Sequence, residues 1–132
     1  MTSSDSLDLA QMIASELPYL RRYARALTGS QTSGDAFAAA TLESLLVDDT
    51  VLRAAEQPKV GLFLAFHLVW ASAGAPAAEH EAGLPARAQA HMAGLTPNSR
   101  EALLLRTIEG FSVAEIAAIM QTDAEEVTGL IA

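Results

Sequence analysis

The sequence predicts an all-α protein made of two small helical bundles joined by a linker. Three observations support this fold class. Strand signals are nearly absent, because alanine and leucine dominate and runs of β-branched residues are missing. Helix punctuation by proline, glycine and capping residues recurs along the chain. An Ala-, Gly- and Pro-rich stretch interrupts the helical pattern, so we expect units at 1–72 and 95–132 and a linker at 73–94.

The first unit is predicted to contain four helices. Pro18 opens the second of them, as a first-turn proline can, and Gly29 ends it at the position that a helix C-cap prefers. Residues 31–34 are expected to form a loop, with Asp35 favourable at the positive end of the next helix. Residues 48–57 are less regular, and Pro58 starts the last helix of the unit. The predicted ranges are 7–16, 18–28, 35–47 and 58–72.

The linker is predicted to contain some helix, and the second unit follows it. A fifth helix is expected over residues 84–93, ended by Gly94. Thr96 and Pro97 then cap and open a helix that reaches Glu109.

A helix-turn-helix is predicted at the end of the chain. Ser112 and Glu115 have the spacing of a capping box, and Thr122 and Glu125 repeat it ten residues later. Two helices are therefore expected, at 113–120 and from residue 123 onward. Their apolar faces, which we expect to pack against the preceding helix, are formed by Val113, Ile116, Ala117, Met120, Ala124, Val127, Leu130 and Ile131. The last helix has no stop signal before the end of the sequence, which indicates a fragment of a longer protein.

Composition excludes several classes of protein. The 132 residues include no cysteine, so disulfides and thiolate zinc sites are ruled out. The polar, acidic N-terminus lacks the pattern of a secretory signal, and the longest apolar run, 62–71, is far shorter than the roughly 18 residues of a membrane span. A soluble cytoplasmic protein without membrane contact is expected.

The charge of the chain predicts a protein partner more readily than a nucleic acid. Sixteen acidic residues oppose eight basic ones, for a net charge of −8. DNA-binding domains gain most of their affinity by neutralising phosphates with Lys and Arg, so this field repels DNA and attracts basic partners. The alternative is that acidity only aids solubility. Arg21, Arg22 and Arg25 are either solvated, paired with the acidic half, or a remnant of nucleic-acid chemistry.

The helix-turn-helix carries the wrong charge for DNA. A recognition helix presents Arg, Lys, Asn or Gln to base edges and phosphates. From Thr107 to the end the chain has five acidic residues and no Lys or Arg. We therefore expect no DNA binding by this element. The acidic helix is either a solvated face or a docking site for a basic segment.

No catalytic, cofactor or metal site is predicted. No nucleophile turn or glycine-rich phosphate loop with its lysine occurs. His80 and His91 have neither the spacing nor the neighbouring acids of a metal site. The apolar helix with His67 and Trp70 is either a central core helix or a core helix with one face offered to a partner.

Several motifs resemble extracytoplasmic-function sigma factors. The segments REALLLR at 100–106, EGFS at 109–112 and EIAAIM at 115–120 resemble their region 4, and LPYLRRYARALTG at 17–29 resembles the start of region 2. More narrowly, GSQTSGD at 29–35, TLE at 41–43 and the acidic last helix resemble the sigma-like output domain of PhyR-type general stress response regulators.

The sequence departs from a working sigma factor in three places. The last helix is acidic, residues 62–70 are almost wholly apolar where sigma factors melt promoters with basic and polar groups, and 35–47 has lost most of the acidic patch that meets RNA polymerase. The resemblance implies partner switching: a receiver domain, absent here, would free the sigma-like domain to bind a small basic helical anti-sigma factor of the NepR type. The alternative is a divergent sigma factor that still reads promoters.

From expected exposure we predict a partner-binding surface on both units. In the first unit it comprises Asp35, Phe37, Leu42, Leu45 and Leu46. In the second unit it comprises Ile108, Glu109, Phe111, Ile119, Met120, Asp123, Glu125 and Glu126. Apolar side chains would supply affinity, and the carboxylates would steer a basic partner.

Overall fold

The computed structural model describes residues 3–77 and 95–132, and every regular element in these ranges is a helix. The predicted all-α class is therefore confirmed. Seven helices occur in the described ranges: α1 Ser3–Thr28, α2 Gln31–Val47, α3 Thr50–Ala54, α4 Pro58–Ser72, α5 Pro97–Thr107, α6 Val113–Met120 and α7 Ala124–Ile131. No helix in these two ranges is long and apolar enough to span a bilayer. The helix predicted at 84–93, with Gly94, His80 and His91, lies outside the described residues.

α1 is a single helix, so the predicted break before Pro18 is wrong. The helix runs for 26 residues with Pro18 inside it. A proline in a helix interior removes one backbone hydrogen bond, the one to the residue four positions earlier. Pro18 and Ala14 are both exposed, so water can solvate the carbonyl that is left over. Leu20 on the opposite side is fully buried, and this packing holds the helix together.

α2 begins four residues earlier than predicted, because Ser30 is its N-cap. The Ser30 hydroxyl accepts a hydrogen bond from the backbone N–H of Ser33 at 3.1 Å. The residues predicted as a loop are therefore the first turn of the helix. Gly34 in that turn lies directly on the backbone of α1, where a Cβ atom would come within 2.6 Å of the Arg25 Cα. This close approach fixes the spacing of the two helices.

α4 is the central helix of the first unit, with the predicted bounds. The segment before it, predicted as irregular, contains the short helix α3, which buries Leu52. The Tyr23 ring of α1 contacts Phe63 and Phe66 of α4 edge-on, with ring centroids 5.4 and 5.6 Å apart. Trp70 is 1% exposed. The core interpretation of this apolar helix is thus confirmed for most of its surface, while Leu68 remains 41% exposed.

The helix-turn-helix is formed by α6 and α7 behind α5. Ser112 and Glu115 make the predicted capping box, with both reciprocal hydrogen bonds present. The predicted cap at Thr122 is wrong: Asp123 caps α7, and its carboxylate accepts from the N–H of Glu126 at 2.8 Å. Gln121 adopts φ 60° between the helices, so the turn extends one residue further and moves the cap to Asp123.

The two units share one continuous core. Phe63 of α4 and Phe111, just before α6, meet edge-on with centroids 5.2 Å apart. Arg100 of α5 is 3% exposed, and its guanidinium donates to the carbonyls of Ala26 and Leu27 in the last turn of α1. A cation at this end of a helix is favourable, because it satisfies free carbonyls and complements the helix dipole. The bundles are therefore in direct contact in this structure.

Candidate partner-binding surfaces

The acidic surface of α7 is the first candidate. Asp123, Glu125 and Glu126 are exposed and line a concavity of about 330 Å³ together with Gly129 and Leu130. Val127 on the opposite side of the helix is fully buried. The helix is therefore held by its apolar side and presents carboxylates to solvent, as the sequence predicts. A surface of this kind attracts cationic side chains and repels phosphates.

An apolar groove on the first unit is the second candidate. It has a volume of about 500 Å³ and lies between the N-terminal half of α1, the end of α2 and α3. Leu46 and Val47, at the end of α2, are 88% and 89% exposed. The groove is lined by Leu9, Ala10, Ile13, Ala14, Leu17, Leu42, Leu45, Leu46, Asp49, Leu52 and Arg53. Exposed apolar side chains beside an apolar groove are typical of a site that receives an amphipathic helix.

The predicted residues of the first unit are divided between this groove and the α1–α2 contact. Leu42, Leu45 and Leu46 line the groove. Asp35 instead faces α1, where its carboxylate accepts from Arg25 at 2.8 and 3.0 Å. This hydrogen bond holds the pKa of Asp35 below its usual value. Phe37 is half-buried against Phe66, with ring centroids 6.2 Å apart.

The predicted apolar contacts of the second unit lie mostly in the core. Phe111, Ile119 and Met120 are buried, with exposures of 4%, 1% and 9%. Ile108 is half-buried, and its carbonyl accepts from Arg22. In this structure a partner cannot reach the three buried side chains directly, because the first unit and α7 cover them. The assumption that they are exposed is therefore wrong for this arrangement of the two units.

Glu109 forms an ionic contact between the units. Its side chain is 1% exposed and lies 3.2 Å from Arg22 Nη2 of α1 and 3.6 Å from Lys59 Nζ of α4. Lys59 also lies 3.7 Å from the carboxylate of Glu16. Arg22 thus pairs with the acidic second half of the chain, one of the alternatives that the sequence leaves open, while Arg25 pairs with Asp35 of the first unit.

A second polar contact between the units, His67 with Glu101, was not predicted. Nδ1 of His67 on α4 is 2.7 Å from Oε2 of Glu101 on α5, and Glu101 is fully buried. Burial raises the pKa of Glu101, and His67 opposes that shift. Helical periodicity is the signal that points to it, because Glu101 is on the same face as Leu104, Leu105 and Ile108. A carboxylate on an apolar face requires a partner.

These features together define a sigma-like module, in which a helix-turn-helix is packed on a helical bundle and its last helix is acidic. Residues 13–67 match the family model described as the Sigma2 domain of PhyR, and residues 92–132 match that of the response regulator PhyR, sigma-like domain. The chain belongs to the PhyR family and corresponds to its sigma-like part.

Known relatives agree with this assignment. The Phyllosphere-induced regulator PhyR of Methylorubrum extorquens is 38% identical over 125 residues, which are 95% of this chain and 47% of that protein. The chain therefore spans about half the length of this curated relative. The NMR structure of the PhyRSL–NepR complex from Sphingomonas sp. Fr1 is 42% identical and has a TM-score of 0.78, with 93% of this chain and 82% of that chain covered.

The same fold also occurs in a sigma factor. The co-crystal structure of the sigma factor RpoE with the anti-sigma factor NepR from Bartonella quintana has a TM-score of 0.77 at 20% identity, covering 94% of this chain and 89% of that chain. At this identity the likeness establishes a common fold and nothing more.

Proposed function

We propose that this chain is a sigma-factor mimic that binds a NepR-type anti-sigma factor and so releases the true sigma factor in a bacterial general stress response. The observation that carries the proposal is a sigma-like fold whose recognition helix α7 exposes Asp123, Glu125 and Glu126. The fold suits a partner that recognises sigma factors. The charge does not suit the promoter DNA that a sigma factor binds.

The proposed partner is a small basic protein with amphipathic helices. Its apolar side chains would enter the groove that contains Leu42, Leu45 and Leu46. Its cations would approach α7, where the carboxylates are exposed and steer association. Asp35, Ile108 and Glu109 lie nearer the ion pairs of α1. They would contribute only if the partner competes for Arg22 or Arg25.

The proposed activity is binding and not catalysis, which accords with the membership in a response regulator family. In the whole protein we propose that a receiver domain controls access to the partner surface. Because sigma factors act on RNA polymerase, the proposed site of action is the bacterial cytoplasm. The proposed mechanism needs no cofactor, since the partner is exchanged by competition between two proteins of one fold.

Titration with an anti-sigma factor and, separately, with promoter DNA tests the proposal. A purified NepR-type anti-sigma factor should bind the chain with one-to-one stoichiometry in calorimetry, while promoter DNA should not bind at low or moderate salt. Specific DNA binding with a steep salt dependence would instead identify a divergent sigma factor.

A matched pair of charge reversals tests the role of α7. Glu125→Lys should slow association with the anti-sigma factor at low salt by about threefold or more, because a steering charge changes the on-rate. Glu56→Lys changes the net charge equally at an exposed position far from α7 in sequence and should have a smaller effect. Equal on-rates for the two variants would refute the role of α7 and leave stoichiometric binding to decide the function.

A further inference from the structure

The contact between the two units contains a carboxylate that is only partly satisfied. Glu101 of α5 is fully buried, and its Oε2 is 2.7 Å from Nδ1 of His67 on α4. Its other oxygen, Oε1, has no hydrogen-bond partner among the described residues. Removing a carboxylate from water is unfavourable unless a counter-charge or several donors compensate.

The neighbouring groups do not provide another clear counter-charge for Glu101. From α1, the buried Tyr23 faces it, and burial followed by the charges of Glu101 and Glu109 raises the pKa of Tyr23 well above its usual value. Glu109 is itself paired with Arg22 of α1 and Lys59 of α4. Arg100, the residue before Glu101 in α5, donates from its guanidinium to backbone carbonyls of α1. Trp70 of α4 stacks obliquely on His67, with centroids 6.2 Å apart.

We propose that the His67–Glu101 contact is a proton-sensitive latch, which favours closure of the two units at mildly acidic pH and loosens as the pH rises. In the closed arrangement, a proton on either group relieves the cost of burying a carboxylate that has no counter-charge. A protonated imidazole pairs with the buried carboxylate, and a protonated carboxyl is neutral. Loss of the shared proton leaves a buried negative charge beside a neutral ring. When the units separate, water solvates the Glu101 carboxylate, so Glu101 binds its proton more tightly in the closed form.

The direction of the pH dependence agrees with the burial of Glu101. Because burial raises its pKa in the closed form, that form binds protons that the separated form releases. The closed form therefore gains stability below the raised pKa and loses it as the pH rises through that value. The Glu109 and Arg100 contacts do not involve His67, so they contribute to closure separately from this pair. Opening would expose the Phe63–Phe111 contact.

Fluorescence energy transfer between the units measures this equilibrium without any partner protein. The chain has no cysteine, so Ser44→Cys on α2 and Thr128→Cys on α7 place two dyes at exposed positions, one in each unit. Between pH 4.5 and 8, the ratio of separated to closed molecules should rise by about threefold or more, within the limit of about tenfold per pH unit for one linked proton. Circular dichroism over the same range should show unchanged helicity.

Substitutions at the contact assign the effect. Glu101→Gln should abolish or reverse the pH dependence, since the buried charge is gone. Glu109→Gln should raise the separated fraction at every pH and keep the slope, while Glu43→Gln, the same change at an exposed position on α2, should change neither. If Glu101→Gln folds poorly, His67→Gln replaces it and should move the midpoint of the transition.

The proposal is overturned by energy transfer that is flat with pH in the natural chain, or by an unaltered slope in Glu101→Gln. An unmoved midpoint in His67→Gln, or loss of the slope in Glu109→Gln, would equally remove the assignment to this pair. Because no anti-sigma factor is present in the measurement, its outcome is separate from that of the partner titration.

Discussion

The contact of Gly34 with α1 leads to the sharpest prediction. An alanine Cβ at this position would come within 2.6 Å of both Cα and N of Arg25 and within 2.9 Å of the carbonyl carbon of Ala24. All three atoms belong to the backbone of α1, so no side chain can rotate away. Gly34→Ala therefore has to push α1 and α2 apart, against a core in which Leu27 and Ala38 are each 1% exposed.

The size of the effect follows from two opposing contributions. Overpacking in a filled core costs about 1–3 kcal/mol, and a clash with backbone atoms belongs at the upper end. Alanine in a helix gains about 1 kcal/mol over glycine. The net loss of stability is then about 2 kcal/mol. At roughly 4 °C per kcal/mol for a domain of this size, Tm should fall by about 8 °C.

Gly129→Ala is the matched control. Gly129 lies in α7, and a Cβ atom there would meet no heavy atom within 4 Å. The same substitution should increase the free energy of unfolding by less than about 1 kcal/mol and so raise Tm slightly, because only the helix propensity changes. Both variants are measured by thermal denaturation followed by circular dichroism at 222 nm. A Gly34→Ala chain as stable as the natural one would refute the argument that this close approach sets the spacing of α1 and α2.

Three further predictions concern individual side chains. Arg100→Met removes the buried guanidinium that caps α1, and it should lower the free energy of unfolding in urea by about 3 kcal/mol; a loss below 1 kcal/mol would contradict the capping role. Asp123→Ala should cost about 1 kcal/mol by thermal denaturation, whereas Thr122→Ala should cost almost nothing, and the reverse order would restore Thr122 as the cap. Glu101→Gln should flatten the fall in stability with rising pH that the raised pKa of Glu101 causes in the natural chain, as checked by urea titrations at pH 5 and 8.

The sequence predicts the fold well where capping and periodicity agree. The bounds of α4 and α6 and the Ser112 capping box are confirmed, because each combines a start signal with a sustained apolar face. The errors occur where one local signal outweighed packing. Pro18 alone suggested a helix boundary, yet the burial of Leu20 on the same helix carries α1 through it. Ser30 caps α2 before the range that the sequence predicts, so the predicted helix is four residues too short.

The candidate surfaces were predictable only in part. Charge identifies α7 from sequence, because exposed carboxylates on a short amphipathic helix need no tertiary information. The ionic contacts between the units depend on tertiary packing, which joins residues as far apart as Arg22 and Glu109. For the same reason, Phe111 and Ile119 could not be distinguished from exposed residues. Their burial depends on how α6 packs against the first unit.

The acidity of α7 also has a consequence within the fold itself. The N-terminus of a helix attracts phosphates, because its free N–H groups and positive dipole end are available. Here Asp123 occupies one of those N–H groups, and Glu125 and Glu126 place two negative charges in the first turn. In a DNA-binding protein this N-terminus would contact a phosphate. In α7 it is already occupied by the protein's own carboxylates. The charges that stabilise α7 as a helix are the same ones that prevent it from acting as an anion site. The helix-turn-helix is therefore retained as a shape, while its chemistry suits a cationic protein surface.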